Sequence, residues 1–237
     1  IEELKAYKQS VITEAVTKGL NPNVQMKDSG IEWFSLTPIN WEIRPLKRLC
    51  VNITDGSHFS PNTTDEGKPY ITVSDVYNDT IHYETAARIS YGDFEVLVNN
   101  GCQPPVGAVL LAKDGTVGRT AIVEDNNYVV LSSLGILTPD NFITSKYLKY
   151  LLDSNPLQEQ MKLAMAGSAL KRITINKICK LIGILPSTHE QKEIADFLDT
   201  KCAEIDELIT IKQQKIESLK EYKKSVIYEY VTGKREV

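Results

Sequence analysis

The chain has 237 residues, 42% of them hydrophobic and 24% charged, with a formal net charge of −4. This composition suits one or two soluble domains with a real core. It contains neither a run of eighteen apolar residues nor a signal-peptide pattern, which sets membrane and secretory readings aside. Cys50, Cys102, Cys179 and Cys202 stand far apart without paired spacing. They read as reduced thiols of a cytoplasmic protein, and no metal site is expected. The small negative charge also bears on nucleic acid. Phosphate neutralisation by Lys and Arg supplies most non-specific DNA affinity, so the chain alone is expected to hold DNA weakly.

In chain order, Ile1 to about Thr17 is predicted to be an amphipathic helix. Ile1, Leu4, Val11, Ile12, Ala15 and Val16 recur at helical spacing, and Gly19 is its expected stop. The middle, residues 21–186, carries short β-type runs at Ile71-Thr-Val73, Val109-Leu-Leu111, Ala121-Ile-Val123 and Tyr128-Val-Val-Leu131. Loops rich in Gly, Asp, Asn and Pro separate them, and Lys146 to Met165 reads as helix. The expected class is α+β: one globular domain of several short strands, flanked by a short helix in residues 1–20 and a long one in residues 187–237. The last segment opens on Ser187-Thr-His-Glu190, a capping-box pattern with Ser187 as N-cap. From there Ile194, Phe197, Leu198, Ile205, Leu208, Ile209, Ile216, Leu219, Tyr222, Val226 and Ile227 form an apolar stripe with no Pro or Gly before Gly233. Roughly forty helical residues span about 60 Å. A stripe on so long a helix marks a coiled-coil arm that needs a partner helix; two shorter helices folding back are the alternative.

The two ends of the chain are related. Ile1-Glu-Glu-Leu-Lys-Ala-Tyr-Lys-Gln-Ser-Val-Ile12 and Ile216-Glu-Ser-Leu-Lys-Glu-Tyr-Lys-Lys-Ser-Val-Ile227 align without a gap. Such a repeat offers one surface twice, to two identical partners or to a second copy of the chain. Together with Leu185-Pro-Ser-Thr-His-Glu-Gln-Lys-Glu-Ile-Ala-Asp-Phe-Leu-Asp199, Ile205-Asp-Glu-Leu-Ile209 and Leu219-Lys-Glu-Tyr-Lys-Lys-Ser-Val-Ile227, it resembles the specificity subunit of type I restriction-modification systems. Asp28-Ser-Gly-Ile-Glu-Trp33 and Pro38-Ile-Asn-Trp41-Glu42 resemble the start of a target recognition domain in that family; Phe34-Ser-Leu-Thr37 departs from it where a Gly-containing turn is expected. The resemblance implies a non-catalytic, cofactor-free subunit that reads one half of a split site in double-stranded DNA. It also implies modification (methyltransferase) subunits docked on the conserved helices, and a restriction subunit engaged indirectly. On this reading the chain is a fragment of a two-domain subunit, or a half-length subunit that dimerises. A structural coiled-coil adaptor that binds protein is the alternative, and an autonomous enzyme ranks last.

Candidate contacts follow from loop chemistry. Lys113-Asp-Gly-Thr-Val-Gly-Arg119 lacks the Gly-Lys-Ser/Thr ending of a P-loop. It is expected to join two strands and to bring Lys113, Thr116 and Arg119 toward phosphate, or else to be a turn with solvated charges. In Asp55-Gly-Ser-His-Phe-Ser-Pro61, which resembles a string near the start of recognition domains, Ser57 and His58 are candidates for base or phosphate contact; His58 could equally cap a turn. Gly167-Ser-Ala-Leu-Lys-Arg-Ile-Thr174 supplies Ser168, Lys171 and Arg172. Of these, Arg172 suits bidentate contact with guanine and Lys171 suits phosphate; a solvated basic pair at a helix-to-strand loop is the alternative. Val98-Asn-Asn-Gly-Cys-Gln-Pro-Pro-Val106 is weakly similar to an amino-methyltransferase Asn-Pro-Pro-Tyr string, but Gln103 and Val106 stand in the wrong places and it reads as a turn.

The conserved helices are expected to meet antiparallel, with residues 1–17 on the opening turns of the arm. Ile194, Leu198, Ile205, Leu208, Ile216, Leu219, Tyr222, Val226 and Ile227 are the expected helix interface. The last five, left without cover, predict a homodimer through the long helices.

Overall fold

The computed structural model describes residues 1–167 and 171–232. Its sheet is legible in the run Val109-Leu-Leu-Ala112, which is buried at every position. Successive residues of a strand face opposite ways. Val109 and Leu111 accordingly join a core shared with the helices, while Leu110 and Ala112 join a second core with Ile71, Tyr128 and Val130. The strand is interior to a four-stranded antiparallel sheet in the order Thr120–Ile122, Val109–Ala112, Leu134–Pro139, Cys50–Asp55. A second sheet, Val129–Val130, Lys68–Ile71, Arg88–Ile89, Thr63–Thr64, begins with a parallel pair.

Six helices are described: α1 (Glu2–Lys18), α2 (Tyr91–Asn99), α3 (Ser145–Asp153), α4 (Asn155–Ala164), α5 (Ile175–Ile178) and α6 (Thr188–Val231). Gly19, at φ +77°, ends α1 as expected. The single helix predicted over Lys146–Met165 is two. Ser154 is extended and Pro156 lies in the first turn of α4, where its ring and missing N–H are tolerated although they would break a continuous helix. The strand expected through Val73 stops at Ile71, because Thr72 caps a 3-10 turn at Val73–Asp75 with a capping box of its own. The arm is one helix of 44 residues, about 66 Å long. Among the described residues, no helix is long and apolar enough to cross a membrane.

The opening half of α6 is tied to the rest of the molecule. Ser187 Oγ accepts from Glu190 N–H, and the Glu190 carboxylate accepts from Ser187 N–H, as the capping pattern predicts. The other Glu190 oxygen accepts from the indole N–H of buried Trp41 at 3.0 Å. Gln191, wholly buried, accepts from Thr144 N–H at 2.9 Å and donates to the carbonyls of Phe142 and Pro186 at 2.8 and 3.0 Å. Tyr147 of α3 lies with its hydroxyl 3.1 Å from Val16 O and 3.2 Å from Ile184 O, joining α1 to the strand Ile182–Leu185. Ile12, Ala15 and Val16 share a core with Ile194, Ala195, Leu198 and Cys202, and Lys8 pairs with Asp206 at 2.7 Å. Early residues of α1 therefore meet late residues of this half, so the two helices run antiparallel, as expected. Leu208 is a correction: it is 48% exposed, because it lies about 80° around the helix from the midpoint of Ile205 and Ile209, which are buried.

Candidate nucleic-acid interface

Three loops distant in sequence meet at the rim of the four-stranded sheet. The strand Cys50–Asp55 runs into Gly56, where a Cβ would lie 2.0 Å from the Val130 carbonyl oxygen, so only glycine lets the chain pass. Ser57 then bonds on both sides: its N–H donates to Val130 O at 2.8 Å and its O accepts from Ser132 N–H at 2.9 Å. The second loop, Lys113–Arg119, joins Val109–Ala112 to Thr120–Ile122, as its sequence predicts. It turns at Gly115 and Gly118, both at positive φ. The third segment, Lys171–Ile173, runs antiparallel beside the second loop, with Gly115 N–H on Lys171 O at 3.2 Å and Ile173 N–H on Lys113 O at 2.9 Å.

A ladder of charges crosses these loops. His58 Nε2 lies 3.4 Å from Asp55 Oδ1, and Asp55 Oδ2 lies 3.3 Å from Lys113 Nζ. Lys113 Nζ lies 3.4 Å from Asp114 Oδ2, and Arg172 Nε lies 2.9 Å from Asp114 Oδ1. That last contact is an ion pair whose N–H is not aligned for a hydrogen bond. Half-buried Asp55 and Asp114 thus clasp the buried Lys113 ammonium between them, with His58 and Arg172 at the two exposed ends. Because its Nε side faces Asp114, Arg172 can address a ligand with its terminal nitrogens, the edge used for bidentate recognition.

Several expected contacts are corrected. Lys113 is only 2% exposed between Asp55 and Asp114; its ammonium neutralises two carboxylates and does not reach outward. Ser57 is buried, with its Oγ donating to Phe59 O and accepting from Phe59 N–H. It shapes the loop. Arg119 closes the hairpin, its carbonyl accepting from Ala112 N–H at 2.8 Å, and is exposed where Lys113 is buried. It lines a cleft of about 1020 Å³ with Lys5 and Lys8 of α1, Lys162 of α4 and Asp206 of α6. Thr116 is exposed at the turn, as are Lys171, Arg172 and His58. Ser168 lies outside the described residues. Sequence reading passed over Asp55 and Asp114 as ladder rungs and Phe59 as an exposed ring. The acids' direct adjacency to Gly56 and Lys113 was the available signal. Among the described residues, no group of three or more His, Cys, Asp or Glu is placed to hold a metal ion.

Residues 38–221 match the family described as the type I restriction modification DNA specificity domain. The chain belongs to this family. Over 99% of its length it is 26% identical to a putative type I restriction enzyme MjaX specificity subunit, and 23% identical to a type I restriction enzyme MjaVIII specificity subunit, both of Methanocaldococcus jannaschii. It covers 52% and 55% of those proteins, so it spans about half the length of the curated relatives it matches. Among solved structures, a chain from work on complex assembly and conformational transition of the type I R-M system superposes with a TM-score of 0.67 at 17% identity, covering 96% of this chain and 51% of that one. The HsdS subunit from Thermoanaerobacter tengcongensis gives 0.62 at 18% identity, covering 96% and 50%. At such identity the structural likeness shows the fold: a specificity-domain fold of mixed α and β structure with a long C-terminal helix.

Proposed function

We propose that this chain reads one half of a bipartite double-stranded DNA target in a type I restriction-modification complex. It has no catalytic role of its own and needs no cofactor. Residues 21–186 serve as the target recognition domain, while residues 1–20 and 187–237 serve as spacer helices in the cytoplasm. Modification (methyltransferase) subunits dock along α1 and α6 and bring the chemistry; the restriction subunit is engaged through them. Alone, the chain pairs two-fold with a second copy through α6.

The observation that carries the reading is the ladder His58–Asp55–Lys113–Asp114–Arg172, which fixes polar tips from three loops beside exposed Lys171. Lys171 suits phosphate and Arg172 suits guanine, with Thr116 and His58 as flanking contacts and Arg119 beside the helices. Because Asp55 and Asp114 neutralise Lys113 and Arg172, the isolated chain binds duplex DNA weakly, and the modification subunit supplies most of the affinity. Submicromolar binding by the lone chain at moderate salt contradicts that division of labour.

Methylome sequencing of cells expressing the chain with its modification subunit tests the proposal; a split methylated motif is expected. Lys171→Ala combined with Arg172→Ala should weaken methylation by about 1–3 kcal/mol of lost base contact, with the fold intact. Unchanged methylation kinetics in the double variant would remove these residues from the reading surface.

A further inference from the structure

Phe59 stands out beside the ladder. The residue is 62% exposed, yet its backbone is hydrogen-bonded at both its N–H and its carbonyl. The Phe59 N–H donates to Ser57 Oγ at 3.0 Å, and its carbonyl accepts from Ser57 Oγ and from Tyr70 Oη at 3.1 Å. Ser57 is itself stitched to Val130 and Ser132, and Gly56 has no room for a side chain. The loop therefore uses part-buried hydrogen bonds to hold an apolar ring out in water. Phe142, similarly exposed, lies under the Arg44 guanidinium at 5.8 Å; among the described residues, Phe59 has no comparable ring or cation contact. Phe34, Trp41, Tyr128 and Tyr147, by contrast, are all buried.

A benzyl ring neither donates nor accepts a hydrogen bond, so it cannot read the polar code of the base edges. The major groove offers it one apolar feature, the 5-methyl group of thymine. Its neighbour His58 begins the ladder that ends at Arg172, so the ring is held at the edge of the polar contacts. We propose that Phe59 is a specificity-determining residue that contacts the 5-methyl of a thymine in the half-site. This rests on the reading that the ladder faces DNA.

The assembled complex of this chain with its modification subunit provides the test. Its methylated motif is determined first, and each thymine of the half-site is then replaced by deoxyuridine, which removes only the methyl group. At one thymine the wild-type complex should lose about four-fold in affinity, the worth of one buried methyl. Phe59→Ala should accept any base pair there and ignore the uridine, while Phe59→Leu keeps the preference. Thermal unfolding of both variants should match the parent, because the ring is exposed. The inference is overturned by a half-site without a T·A pair, by a uniform loss over all sites, or by an unchanged motif and uridine response in Phe59→Ala. A wild-type complex that methylates no motif removes the DNA reading itself, a distinct failure that takes this inference with it.

Discussion

The two halves of α6 are one helix with one apolar stripe, yet they live in different surroundings. Between Thr188 and Ile209 most of the stripe is buried: Ile194, Leu198 and Cys202 join the core and Ile205 and Ile209 are covered, leaving Phe197 and Leu208 exposed. Glu190, Gln191, Asp199 and Asp206 make directed bonds to other elements. Beyond Ile209 the same pattern stands in water. Leu219 is 56% and Tyr222 65% exposed, with Ile216 and Ile227 similar and Val226 half-buried. Among the described residues, Lys220 and Lys224 pair with Glu217 and Glu221 of the same helix. Exposed pairs of that kind contribute little to stability. A periodic stripe therefore says that a face is made to be covered, but not what covers it.

The sharpest way to break the comparison is to truncate equivalent leucines. Leu198→Ala should cost about 2–5 kcal/mol through the cavity it leaves, whereas Leu219→Ala should stay within about 0.5 kcal/mol. Urea unfolding of the two variants, at protein concentrations low enough to keep the chain monomeric, measures both; equal costs there would mean that the bare half packs against its own chain. Gln191→Ala comes next, at about 1–3 kcal/mol for the backbone groups of Phe142, Thr144 and Pro186, buried or partly so, left without this partner. Leu219→Glu with Tyr222→Glu should leave unfolding of the dilute, monomeric chain unchanged while abolishing two-fold association, seen by light scattering at high micromolar concentration. A clean monomer in the parent would already refute the dimer.

The smallest effect is on acid stability. Burial alone would raise the Glu190 and Asp199 carboxyls. Hydrogen bonds from Ser187 and Trp41 at Glu190, and from Lys146 and Tyr150 at Asp199, outweigh it and hold both below their ordinary 4.5 and 3.8. A carboxyl lowered in the folded state contributes fully above its unfolded pKa, and that contribution is lost as pH falls through the folded value. Stability should therefore drop below about pH 4.5, and Glu190→Gln with Asp199→Asn should shallow the drop. An equally steep acid limb in this variant would place the protonation elsewhere.

Local rules were readable. The capping box, the Gly19 stop, the hairpin at Lys113–Arg119 and the single long arm all depend on residues within a few positions of one another. What escaped is non-local. Nothing near Lys113 in sequence announces Asp55, and a charge count treats a buried ammonium like a solvated one. Ser57 looked like a reading residue because its bond to Val130 crosses more than seventy positions of chain. Gln191 was legible only as part of a family string; its three bonds to the segment from Phe142 to Thr144 and to Pro186 give that string a physical cause. Phe59 was passed over because an exposed phenylalanine in a polar loop is ordinary until its backbone is seen to be pinned.

Trp41 has an optical consequence. The chain has two tryptophans, Trp33 and Trp41. The Trp41 ring lies so near the end of α1 that a Cβ on Gly19 would approach it to 3.1 Å, while its N–H is held by Glu190 at the start of α6. A dry, hydrogen-bonded indole emits at shorter wavelength than a wet one, so its colour depends on both helices being seated at once. With Trp33→Phe, Trp41 becomes a lone, label-free fluorophore at that junction. Its emission should shift to the red when either helix lifts away, and a stopped-flow trace could then time the seating of the helices during assembly.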